Sequence, residues 1–257
     1  MSETLPTYAA TSPRVRVVPL DRPWLWLARG WSDFTRAPGI CLAYGLILIA
    51  ASFALTLSLF LAELPYLLLP LAAGFMFVAP ILAVGLYEVS RCLEAGLPPT
   101  LFQAVTAWRR NPLQIALAGL VLMLFNLAWV RIATLLFALF FSTATPSLPR
   151  LVETLLFSPE SLLFLVVGTA IGGALAAAVF AVSAVSIPML LDRDVDVASA
   201  IATSVRAVLA NWKAMTLWAG LIAIFTALGI ATLYLGLAVA LPLIGLASWH
   251  AYKDLVE

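Results

Sequence analysis

Residues 214–249 read AMTLWAGLIAIFTALGIATLYLGLAVALPLIGLASW, an apolar run of 36 residues without a charged side chain. A helix needs roughly 20 residues to cross the ~30 Å hydrocarbon core of a bilayer. The run is therefore too long for one span, and it is the right length for two antiparallel helices joined by a tight turn. This stretch predicts a membrane hairpin.

The composition of the whole chain agrees with that prediction. Hydrophobic residues make up 63% of the chain and charged residues 11%, against about half and about a quarter in soluble domains. A soluble fold cannot bury that much apolar surface, whereas a bilayer is itself an apolar solvent. The composition excludes a soluble globular protein and predicts an integral membrane protein.

Four further apolar stretches precede the hairpin, and together they give six predicted spans. The spans are about 39–62, 64–87, 113–141, 162–191, 214–234 and 235–249. The first pair is joined only by the turn at 62–65, and such short connections hold antiparallel neighbours together. The predicted fold is an all-α polytopic membrane helix bundle of six transmembrane helices arranged as three hairpins.

A polar segment ending in a boundary dipeptide precedes each hairpin. The dipeptides begin at Ala37, Asn111 and Asn211, and a small residue follows each at the same spacing. The recurrence predicts three pseudo-repeats, at about 21–97, 98–195 and 196–257, each opening with a short interfacial amphipathic helix. Residues 19–257 are predicted to form one transmembrane domain. Residues 1–18, rich in Ser, Thr and Pro, are predicted to be a disordered cytoplasmic tail.

The basic residues are distributed asymmetrically across these spans. Twelve of the fourteen Lys and Arg residues fall on one side; Arg131 lies inside a span and Arg150 on the opposite side. Positive charge favours the cytoplasmic side, so both termini are predicted to be cytoplasmic. The interfacial segments also mix cationic and aromatic side chains, which suits contact with anionic lipid headgroups. The residues predicted at this interface are Trp24, Trp26, Arg29, Trp31, Arg36, Trp108, Arg109, Arg110 and Trp212.

Arg131 is the leading candidate for a ligand-binding residue, because a charge inside a span is costly. It lies about 27 Å along its helix from Leu113, near the outer edge of the hydrocarbon core. One interpretation is a snorkelling guanidinium paired with Glu63 or Glu153. The alternative is an anion or headgroup site between helices that uses Arg131 and Asn126.

Two further features have local interpretations. Glu88 and Glu94 flank Arg91 at helical spacing, so local pairing explains these charges, and a proton or headgroup function for Glu88 is the alternative. Gly168 and Gly172 start a small-residue face that predicts close helix packing, within this bundle rather than in a dimer.

Reactive groups do not converge anywhere in the sequence. The chain has one histidine, His250, and the acidic run at 192–196 lacks the Gly and Glu of a calcium loop. No phosphate-binding loop or nucleophile motif occurs. We therefore expect a non-enzymatic protein without a metal or cofactor. Its predicted partners are the lipid bilayer and other membrane proteins, and no nucleic acid.

Four segments, 16–24, 80–88, 108–112 and 248–252, resemble those of an uncharacterised bacterial integral membrane protein family, the domain of unknown function DUF2189. The resemblance implies a multi-pass protein of the bacterial inner membrane with about six spans, and it transfers no catalytic residues. The hairpin pattern more distantly resembles the membrane domain of glycerophosphodiester phosphodiesterases.

Two functions follow as hypotheses from these observations. The first is a scaffold, assembly factor or accessory subunit of a membrane complex. The second is a protein that binds or transports a lipid or a small anion in a cavity near Arg131.

Overall fold

The computed structural model describes residues 13–64, 67–140 and 159–257, and the regular structure in these ranges is helical apart from one isolated β-bridge. The α-helices are α1 (Arg22–Arg36), α2 (Pro38–Leu61), α3 (Leu68–Leu82), α4 (Val84–Glu94), α5 (Leu101–Thr106), α6 (Pro112–Phe140), α7 (Pro159–Ser183), α8 (Ser186–Asp192), α9 (Val197–Ala210), α10 (Trp212–Ala231) and α11 (Leu237–Leu255). A short 3₁₀ helix, Ala107–Arg110, follows α5.

Within the described ranges, five stretches are long and apolar enough to cross a membrane. They are Pro38–Leu61, Pro70–Glu94, Pro112–Phe140, Leu162–Asp192 and Trp212–Ala231. The second and fourth each consist of two successive helices, α3–α4 and α7–α8. The predicted all-α membrane fold is confirmed. The sixth predicted span corresponds to α11, which is not among the five, so six spans in three hairpins stay a prediction.

The helices before α2, α6 and α10 end at single-residue breaks with similar backbone angles. The φ and ψ values are −135° and 51° at Ala37, −145° and 69° at Asn111, and −118° and 31° at Asn211. Proline at the first position of α2 and α6 favours a new helix there, because its ring fixes φ. The breaks fall at the predicted boundary dipeptides, and the division into three pseudo-repeats stays a prediction.

Helix α11 forms the centre of the bundle rather than a peripheral span. Leu246, Ala247, Trp249, Tyr252 and Leu255 are fully buried, and α11 packs against α1, α2, α4 and α10. Glycines allow the closest approaches. A Cβ at Gly30 would lie 2.8 Å from the Ala247 nitrogen, and a Cβ at Gly45 would lie 2.6 Å from the Ala238 oxygen. A Cβ at Gly245 would lie 2.6 Å from a Leu86 methyl carbon. Small residues let helix backbones approach each other this closely.

The N-terminal arm, residues 13–18, packs against the C-terminus, which corrects the prediction of a disordered tail for this part of residues 1–18. Val15 forms an antiparallel bridge with Val256, and Arg16 pairs with the exposed Glu257 carboxylate at 2.8 Å. The Asn211 side chain accepts from the Val18 amide at 2.7 Å and donates to the Arg16 carbonyl at 2.9 Å. The arm thereby ties the C-terminus to the break between α9 and α10. Residues 1–12 lie outside the described residues.

The predicted packing glycines of α7 differ from each other. A Cβ at Gly172 would lie 2.9 Å from the Trp129 ring of α6, so Gly172 is a site of close helix packing. A Cβ at Gly168 would meet no described atom within 4 Å. The space beside Gly168 is wider, although Phe164 and Gly172 on the same face of α7 both contact α6, and a packing function for Gly168 stays a prediction.

Candidate functional site

A cavity of about 570 Å³ lies among α3–α4, α7, α10 and α11. Its back wall is formed by buried side chains such as Phe77, Leu86 and Tyr87. The exposed residues that line it lie on α7 and α10, among them Ala177 and Ala223, with Leu209 at the end of α9 beside them. The cavity is therefore closed towards the bundle centre and opens between α7 and α10.

Small residues create this space. Helix α7 contributes Gly173, Ala176 and Ala177, and α10 contributes Ala219 and Ala223. Helix α7 packs on α6 and α9, whereas α10 packs on α11, so the small faces of α7 and α10 are left facing a gap. The small-residue face of α7 thus serves mainly to line a cavity rather than to bring two helices together.

The lining is apolar with a few hydroxyl groups. No described residue that lines the cavity carries a charge, and one of its hydroxyls, that of Ser183, donates to the Val179 carbonyl at 2.7 Å. The volume falls in the range of about 300–1,000 Å³ that is typical of small-molecule sites. Along α10 the lining runs from Trp212 to Thr226, about 21 Å at 1.5 Å per residue. These properties suit a long apolar chain and not a free ion.

A buried polar cluster joins α1, α4 and α11 near the chain termini. Asp33 is buried, Ser90 donates its hydroxyl to Asp33 Oδ2 at 2.7 Å, and His250 Nε2 lies 2.8 Å from the same oxygen. Arg36 Nη1 approaches Asp33 Oδ1 at 3.8 Å. A buried carboxylate requires such partners, so this cluster fixes the relative position of the three helices.

Glu88 belongs to a second cluster beside the first. Its carboxylate, which is buried, accepts two hydrogen bonds from Arg91, each 2.7 Å long, and lies 3.9 Å from Arg110. The predicted local pairing of Glu88 with Arg91 is confirmed. Glu94 differs from the prediction, since it accepts from the Trp249 indole at 3.0 Å and lies 3.9 Å from Lys253 instead of pairing with Arg91.

Tyr252 is the centre of a third group at the end of α11. Its hydroxyl donates to Asp192 at 2.7 Å and accepts from Arg193 at 2.9 Å. Burial, and then the hydrogen bond to Asp192, raises the pKa of Tyr252, so the phenol stays protonated and remains a donor. These contacts hold the loop after α8 against the C-terminus.

The candidate ligand residues from the sequence do not line the cavity. Arg131 and Glu63 are exposed and form no ion pair within the described residues, and Glu153 lies outside them. Asn126 packs against Gly74 of α3, and its buried Oδ1 has no hydrogen-bond partner in the part of the chain that the structure describes. The cavity described above lies between α7 and α10 and is not lined by these residues, and a ligand site at Arg131 stays a prediction.

Most of the predicted interface residues are exposed side chains. They are Trp24, Arg29, Trp31, Arg36, Trp108, Arg109, Arg110 and Trp212. Trp26 is the exception: it is fully buried, its indole donates to Asp254 at 3.0 Å, and its ring meets that of Trp218 edge to face. Trp26 is therefore a core residue, because it shares the inner face of α1 with Gly30 and Asp33.

Comparison with known proteins gives one match. Residues 68–192 match the family DUF2189, described as a predicted integral membrane protein. No curated protein and no solved structure matches the chain. The predicted resemblance to this family is confirmed over that segment, and the more distant resemblance to the phosphodiesterase membrane domain receives no support. The matched segment contains α3 to α8. The chain is thus a multi-pass helical membrane protein, and its residues 68–192 are similar to DUF2189, a family of predicted integral membrane proteins.

Proposed function

We propose that this protein binds an acyl chain of a membrane phospholipid in the cavity between α7 and α10. The observation that carries the proposal is the uncharged lining of a cavity whose walls are largely candidate membrane spans. This proposal keeps lipid binding from the second sequence-based hypothesis, but it places the binding site between α7 and α10 instead of near Arg131.

The surroundings of the cavity favour an acyl chain over water. The opening lies between two spans, where lipid chains are the neighbouring molecules. Each leaflet fills half of a ~30 Å core, about 15 Å, and the cavity extends about 21 Å along α10. A buried water needs 2–4 polar partners, which an apolar lining supplies at few points. The cavity is therefore long enough to hold an acyl chain from the adjacent leaflet, and its apolar lining matches the chemistry of that chain.

Filling the cavity is expected to reduce lipid retention about tenfold. The substitutions are Ala177→Phe and Ala223→Phe, whose rings would occupy space for several methylene groups. Displacing even two of them costs about 1.6 kcal/mol of burial. The measurement is phospholipid bound per protein, by mass spectrometry, after purification in a mild detergent.

Matched controls lie on the same helices. Ala174→Phe and Ala227→Phe add the same ring at exposed positions outside the cavity lining, and both should retain lipid as the wild type does. Equal retention in all four variants, or a wild type that retains no lipid, would refute the proposal.

We also propose that the protein lies in the inner membrane of a bacterium, with both termini on the cytoplasmic side. The support is a cluster of cationic side chains around the C-terminal residues 252–257. Arg16, Arg22 and Arg193 contact this segment, and Lys253 belongs to it. Cationic side chains favour the cytoplasmic side. Tags fused at either end should be protected from an impermeant reagent in intact cells; labelling of both tags would show the opposite orientation.

The scaffold or accessory-subunit function stays a prediction, and so does the absence of catalytic activity. No contact in the described residues singles out a protein partner. Repeated co-purification of the same membrane protein in mild detergent supports a scaffold, and its failure counts against one.

A further inference from the structure

We infer that the cavity selects anionic phospholipids, whose headgroup phosphate is held by Lys213 at the mouth formed by Trp212. This inference rests on the proposed acyl-chain site and names the lipid class that the site takes. Its ligand is an amphiphile with an apolar chain at one end and, at the other, a phosphate whose charge is not offset by a headgroup cation, unlike that of phosphatidylcholine.

The position of Lys213 supports this assignment. Trp212 lines the cavity and is 61% exposed, so it stands at the opening. The Lys213 ammonium lies 5.6 Å from the centre of the Trp212 ring. Trp212 therefore links the apolar space to a cation at the end of α10.

No anionic side chain of the described residues competes for Lys213. Among the described residues it forms no ion pair and no hydrogen bond; its contact is the ring of Trp212. The charged residues within α9 and α10 are Arg206 and Lys213, and both are cationic and exposed. Arg206 donates to the Ala202 carbonyl and the Thr203 hydroxyl, so its charge is not neutralised either. The mouth thus carries uncompensated positive charge.

The arrangement matches the two ends of a phospholipid. Trp212 and Lys213 follow the break at Asn211, whose side chain is held by the Arg16 carbonyl of the arm and the Ala207 carbonyl of α9. Tryptophan and lysine both favour the headgroup level. From there the lining descends along α10 to Thr226, inside a candidate span. A phosphate at Lys213 places its acyl chain along this lining.

The test measures lipid selectivity in nanodiscs with equal amounts of phosphatidylglycerol and phosphatidylcholine carrying the same chains. Native mass spectrometry gives the ratio of the two lipids bound to the released protein. Wild type should retain phosphatidylglycerol preferentially. Lys213→Gln should lower that preference about fivefold, since one such contact near a membrane surface has roughly that effect, and Lys213→Arg should restore it. Total bound lipid and melting temperature should change little.

Arg29→Gln is the matched control, because Arg29 is exposed on α1 and does not line the cavity. It should keep the wild-type preference. The inferred selectivity is overturned if wild type shows no preference for phosphatidylglycerol, or if Lys213→Gln and Arg29→Gln lose that preference equally. The acyl-chain site would still stand in that case, provided that Ala223→Phe binds less total lipid than wild type. Inorganic phosphate should not displace bound phosphatidylglycerol. Displacement would identify a site for free anions and would overturn the inference.

Discussion

Gly30→Leu is expected to destabilise the protein by about 3 kcal/mol, the upper part of the usual range for overpacking. A Cβ at this position would lie 2.8 Å from the Ala247 nitrogen and 3.0 Å from its Cα, so the clash is with backbone. Because α11 is buried at the centre, α1 would have to move away from it. The measurement is thermal unfolding in detergent, read as the loss of helical circular dichroism.

Gly39→Leu is the matched control for this substitution. Gly39 is exposed in the first turn of α2, and a Cβ there meets no described atom within 4 Å. Its melting temperature should stay close to that of the wild type. Equal melting temperatures for Gly30→Leu and Gly39→Leu would contradict the close packing of α1 on α11.

Asp33→Ala is the second substitution with a large expected effect, again about 3 kcal/mol. It removes the carboxylate that Ser90 and His250 share. Their polar groups then lack this partner in the contact region of α1, α4 and α11. Removing one partner from a buried charged network costs about 3–5 kcal/mol, and the partial exposure of His250 places the expected cost at the lower end.

The control is Asp21→Ala, on the exposed side chain that precedes α1. Asp21 forms no side-chain cap hydrogen bond in the structure, so its removal should cost little. Urea unfolding in detergent compares the two variants, and a similar loss in both would show that the Asp33 cluster does not stabilise the fold. Asp33→Asn should fall between Asp33→Ala and wild type, since it keeps an acceptor oxygen.

Local signals in the sequence predicted local structure well. Thr100 with Gln103 three residues later is the pattern of a capping box, and Asp21 and Asp196 precede helical segments as residues favoured at the N-cap. The capping box is present, and Asp196 caps α9 through the Ser199 amide. The helix breaks at Ala37 and Asn111 precede prolines, whose effect on the backbone is local. Asp21 is the exception, because the residue occupies the cap position with helical angles and its side chain makes no cap bond.

Burial could not be predicted in the same way. A lipid-facing apolar residue and a core apolar residue look alike in a membrane protein, because lipid is as apolar as the core. The run that became α11 therefore resembled the other spans, although it is the buried centre. Trp26 could have been separated from Trp24, since Pro23, Trp26, Gly30 and Asp33 share one helical face.

The candidate site depended on contacts between distant parts of the chain. Asp33 and His250 are 217 residues apart, so their pairing left no local signal. The cavity depends on the gap between α7 and α10, which belong to different predicted pseudo-repeats. A charge in a span drew the prediction to Arg131, whereas the space for a ligand is lined by small, uncharged residues.

Photo-crosslinking tests the acyl-chain site most directly. The probe is a phospholipid with a diazirine midway along one chain, incorporated into nanodiscs with the intact protein, and adducts are mapped by peptide sequencing. We predict adducts within 173–180 of α7 and 219–226 of α10 that are reduced in Ala223→Phe and unchanged in Ala227→Phe. Adducts confined to outward residues such as Leu135 and Leu139 of α6 would contradict binding in the cavity.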